Sequence, residues 1–153
     1  MKFGKHRGFT LLELIVSVMV ISILVGLAVP LARNSIKREK EIELRTALRE
    51  IRTAIDKFKD ASDRGFIMVK VDTEGYPEKL QDLVDGVQMV GAVDKKLKFL
   101  RRIPVDPMTK SAEWGLRSYQ DDLKSASWGG QNVFDVFTKS EGTAFDGTKY
   151  KDW

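Results

Sequence analysis

Apolar residues run almost unbroken from Phe9 to Ala32, and the one charge inside the run is Glu13. As a helix at about 1.5 Å per residue this stretch is roughly 36 Å long, enough to cross a hydrocarbon core of about 30 Å. Past Arg33 the run gives way to a spaced pattern. Ile36, Ile42, Leu44, Ala47, Leu48, Ile51, Ala54, Ile55 and Phe58 recur at three- and four-residue intervals with charges between them. That is the signature of a helix with one face buried against a sheet. Gly26 and Pro30 interrupt the apolar half, and a kink or local melting is expected over Leu27 to Pro30, because proline removes one backbone donor and crowds the preceding turn.

The pattern changes at Ala61-Ser62-Asp63-Arg64-Gly65, where helix signals fade. Phe66 to Val71 reads as a short strand. Tyr76-Pro77-Glu78 opens a short helix through Val84, with proline in its first turn, and Asp85-Gly86 stops it. Leu97 to Pro107 reads as extended loop, since the residues before Pro104 and Pro107 are pushed out of helical conformation. Leu116 to Tyr119 and Val133 to Thr138 read as antiparallel strands flanking a loop from Asp121 to Gln131, and Asp146-Gly147 marks a tight turn before Thr148 to Trp153. A long helix followed by a small antiparallel sheet is an α+β layout.

Composition narrows the chemistry. The 153 residues allow the apolar helix and one modest domain. A pI near 9.3 suggests nucleic acid at first sight. Yet of the net +4, three charges belong to Lys2, Lys5 and Arg7, leaving +1 for the remainder with both signs mixed along it. That is no footprint for a phosphate backbone. There is no cysteine, and the only histidine is His6. Disulfides, thiolate chemistry and a cysteine-type zinc site are therefore excluded. Beyond His6 the chain lacks the usual general base, and no glycine-rich phosphate loop or nucleophile motif occurs. The expectation is a protein that is not an enzyme.

Glu13 needs a reason. A carboxylate inside a membrane helix costs about 2.5–3.5 kcal/mol on insertion scales and usually marks function. Thr10-Leu11-Leu12-Glu13 fits a capping box, which explains why the charge is tolerable at a helix start. It does not explain a basic octapeptide ending in Gly8 in front of it. An ordinary secretory signal has an apolar region of about 7–15 residues ending in a small-x-small site, which this stretch does not match. Basic residues flank both ends (Lys2, Lys5 and Arg7 before, Arg33, Lys37, Arg38 and Lys40 after), so charge asymmetry does not set the orientation.

The segment Gly8-Phe9-Thr10-Leu11-Leu12-Glu13 resembles the N-terminus of type IV pilin-like precursors. That resemblance implies a cleaved leader (residues 1–8), cut between Gly8 and Phe9 with N-methylation of Phe9, and an assembly role for Glu13. It further implies a membrane and filament-core helix over 9–32, the amphipathic half of the same helix over 33–61, and a periplasmic domain over 62–153. The later segments Tyr76-Pro77, Leu80-Gln81-Asp82-Leu83-Val84, Ile103-Pro104-Val105-Asp106-Pro107, Phe134-Asp135-Val136-Phe137 and Lys139-Ser140-Glu141-Gly142 are similar to the major pseudopilin branch of type II secretion.

That branch implies a self-assembling helical homopolymer. Its partners would be a prepilin peptidase, an inner-membrane assembly platform, minor pseudopilins, and membrane lipid before assembly. A type IV pilus major or minor pilin, and a membrane-anchored binding module that never polymerises, are the alternatives. The resemblance also implies calcium in the loop after the last strand, with Glu141 and Asp146 as ligands and Asp152 less clearly placed. An ordinary solvated hairpin closed by Asp146-Gly147 is the competing reading. Asp106 between prolines shapes a turn, Asp121-Asp122 are solvated loop acids, and Trp114, Trp128 and Trp153 fill a small core.

Overall fold

A computed structural model describes residues 9–92, 94–122, 125 and 127–153. Its first element is α1, Leu11–Asp63, a helix of 53 residues without a break. It continues through Gly26 and Pro30, so the local melting expected there does not occur. Proline lacks an N–H, so the carbonyl of Gly26 loses its helical donor, and a helix tolerates one such loss. The side chains of Leu27 and of residues 29–31 lie outside the described set.

The chain divides after Glu39 into two units. In the first, apolar side chains from Leu11 to Val25 are exposed. Among the described residues no helix is long and apolar enough to cross a membrane. In the second unit α1 presents the expected stripe. Leu44, Ala47, Leu48, Ile51, Ala54, Ile55 and Phe58 are buried, and Ala61 extends the row by one turn. Ile36 and Ile42 are exposed, contrary to expectation. Ile42 sits two residues before Leu44, which on a 3.6-residue turn places it across the helix from the stripe, and Ile36 belongs to the first unit.

Among the described residues, two small antiparallel sheets complete the second unit. Strand β1 (Val87–Gln88) pairs with β2 (Lys96–Leu97), and β3 (Gly115–Arg117) pairs with β4 (Asp135–Phe137). In the second pair Gly115 faces Phe137, Leu116 faces Val136 and Arg117 faces Asp135. The expected strand over Phe66 to Val71 reduces to a single bridge, Ile67 to Met89, followed by a 3₁₀ turn over Val71–Thr73. The helix expected from Tyr76 is shorter, α2 at Asp82–Asp85. Pro77 is fully buried and its carbonyl accepts from Val133 N at 2.7 Å, so it ties this segment to the chain entering β4 instead of opening a helix. Tyr76 packs with Tyr119 and Phe134, ring centroids 5.3–5.9 Å apart.

Asp106 is completely buried and shapes its turn as expected. One carboxylate oxygen accepts from Met108 N at 2.8 Å, and the other from the hydroxyls of Thr109 and Thr138. Trp114 is a core residue whose Nε1 donates to Pro104 O at 2.9 Å. Trp128 is 39% exposed and does not join the core. Its Nε1 is taken by Asn132 O at 2.7 Å, which holds the ring over its own loop. Asp121 closes the same loop, accepting from Ser118 N at 2.7 Å and Gly129 N at 3.0 Å. Those amide donors lower its pKa.

Candidate functional site

The N-terminal candidates fall at the head of α1. Phe9 is 77% exposed, and Leu11 and Leu12 beside it are equally open. Thr10 caps the helix: its Oγ1 accepts from Glu13 N at 3.3 Å and its carbonyl from Leu14 N at 3.1 Å. Glu13 lies in the first turn, where the helix dipole favours a negative charge. Ser17 and Ser22 return their hydroxyls to the carbonyls of Glu13 and Val18, which leaves the stretch from Leu11 to Val25 with little exposed polarity beyond Glu13. Gly8, the expected residue before the cut, lies outside the described residues together with the rest of the leader.

The C-terminal candidates are held by donors of the chain itself. Asp146 Oδ1 accepts from Thr148 N at 2.9 Å and Thr148 Oγ1 at 2.6 Å, while Oδ2 faces Arg45 at 3.5 Å. The two bonds from Thr148, more than Arg45, hold its carboxyl below the usual range. Glu141 pairs with Lys151 Nζ at 3.1 Å. Calcium takes six to eight oxygens, several of them carboxylate. Among the described residues no three acidic or histidine side chains gather to supply them. The expected turn is present, with Gly147 at φ 86°, its N–H donating to Ala144 O, and a bridge from Thr143 to Lys149.

One cluster carries no signal in the sequence. Arg52 of α1 donates from Nε to Asp135 Oδ1 at 2.7 Å, and from Nη2 to the carbonyls of Val136 and Trp153 at 3.1 and 2.7 Å. Arg117 reaches the other Asp135 oxygen at 3.3 Å and lies over the Phe137 ring. One carboxylate between two guanidiniums thus locks α1 to β3 and β4.

A capped, exposed apolar helix followed by a stripe docked on a small antiparallel sheet defines a pilin-like α+β protein. The prokaryotic N-terminal methylation motif matches residues 4–29. The type II secretion system core protein G of Escherichia coli K12 is 31% identical over 108 residues, covering 67% of this chain and 67% of that protein. No solved structure matches. The chain belongs to the type IV pilin-like proteins, in the core protein G family of type II secretion.

Proposed function

We propose that the chain is a structural subunit of a type II secretion pseudopilus and not an enzyme. Residues 1–8 are a leader removed by a prepilin peptidase between Gly8 and Phe9, and Phe9 is then N-methylated. Residues 9–32 sit in the inner membrane as a single pass, with the C-terminal domain in the periplasm. The subunit then leaves lipid for a helical periplasmic homopolymer that works with an inner-membrane assembly platform and minor pseudopilins. Membership of the core protein G family supports this reading. The observation that carries it is the methylation motif at the head of a helix whose apolar side chains lie exposed. So large an apolar surface needs a cover, either acyl chains or neighbouring helices. Head-to-tail contacts that do not close give such a fibre.

Glu13 gives this reading its test. Once Phe9 is the first residue, its amino group is a cation at the head of an apolar helix, and Glu13 is the acid within reach. Pairing the two, within a subunit or between subunits, offsets part of the cost of each charge in an apolar setting. Glu13→Val is expected to insert and be cut normally, while filament yield, counted by electron microscopy of sheared material, drops to background. Wild-type filament yield from Glu13→Val subunits would contradict the role.

A further inference from the structure

The C-terminal segment is the part of the chain where the expectation of a metal and the side chains disagree. We propose that residues 141–153 are fastened to α1 by a metal-independent clasp, in which Glu41 takes Tyr150 and Phe145 while Arg45 takes Trp153 and Asp146. Glu41 Oε1 accepts the Tyr150 hydroxyl at 2.9 Å and Phe145 N at 3.2 Å. Tyr150 is 4% exposed. Its ring meets Trp153 edge to face at 5.2 Å, and the Arg45 guanidinium lies 3.8 Å above the Trp153 ring. Trp153 Nε1 donates to Thr148 Oγ1 at 2.7 Å, and Thr148 in turn donates to Asp146. Gly142 leaves room for the tyrosine, since a Cβ there would come within 2.9 Å of its ring.

Physical chemistry decides between clasp and ion. A divalent cation binds where carboxylates converge and repel one another until it arrives. Here both main candidate carboxylates already have a cation of the chain beside them: Arg45 by Asp146 and Lys151 by Glu141. A calcium ion would have to compete with Arg45 for Asp146 Oδ2, or with the Thr148 donors for Oδ1, and accept two positive neighbours. The exposed ion pairs contribute little to stability. Most of the hold comes from burying Tyr150 with its hydroxyl satisfied by Glu41, because a buried aromatic with a partnered polar end is a strong anchor. The clasp concerns one subunit's own fold and is independent of filament assembly.

The test uses the full chain in detergent micelles, followed by tryptophan fluorescence during heating and by trypsin cleavage at Lys149 and Lys151. Melting curves in millimolar calcium chloride and in chelator are expected to coincide. Glu41→Ala is expected to lower the midpoint by several degrees and to speed C-terminal cleavage severalfold, equally with and without calcium. Tyr150→Phe, which removes only the hydroxyl, is expected to show a smaller shift of the same kind. A midpoint raised several degrees by calcium and restored by chelator would overturn the clasp. So would wild-type melting and cleavage in both variants.

Discussion

Tyr150 shows what a single residue contributes to this fold. Burial first, and the hydrogen bond to Glu41 second, push its phenol up to about 12. An unfolded tyrosine titrates near 10. The folded state therefore favours the neutral, donating form. That share of stability is complete below about pH 10 and is lost as pH rises toward 12. Chemical denaturation is expected to show stability falling over this window, with a shallower fall in Tyr150→Phe. Tyr76, raised mainly by burial, acts in the same direction, so the informative quantity is the difference between wild type and variant. Equal slopes would remove Tyr150 from the pH dependence. A residue such as Glu13 is legible in sequence because its signal is local: one charge in an apolar run behind a basic leader. The pairs Glu41–Tyr150 and Arg52–Asp135 join α1 to the C-terminal segment and to β4, and no spacing rule links residues so far apart.

At the scale of elements, α1 was legible because a three-to-four-residue period repeated over many turns cannot arise from another structure. The strands were harder to read. A two- or three-residue strand is too short to show alternation, so β1 and β2 left no trace, while β3 and β4 appeared displaced or overlong. Phe66 to Val71 has strand-like composition, yet only Ile67 finds a bridge partner before the backbone tightens into a 3₁₀ turn. Gly115 shows how tightly the second sheet is fitted. A Cβ there would stand 2.4 Å from the ring of Phe137, its cross-strand partner. The ring cannot move freely, because the Arg117 guanidinium lies 4.2 Å from its centroid. Gly115→Ala is expected to cost about 1–3 kcal/mol, the usual range for overpacking, read as a lowered urea midpoint with an unchanged slope. An unaltered midpoint would mean that β3 and β4 repack without strain.

At the scale of the molecule, the two units face different needs. The second satisfies its apolar stripe within the chain: the residues from Leu44 to Phe58 are covered by the chain's own sheets and loops. The first leaves its apolar side chains exposed from Leu11 to Val25, with Glu13 the charge among them. In the function proposed above, lipid or other copies of the chain cover this surface, and the methylation motif over residues 4–29 supports that reading. The most direct measurement is the intact mass and N-terminal sequence of the protein recovered from cells that carry a prepilin peptidase. The prediction is a chain that begins at N-methylated Phe9, and a Gly8→Val variant that keeps residues 1–8. A wild-type protein that retains its leader, or is cut anywhere else, would contradict the assignment as a processed filament subunit.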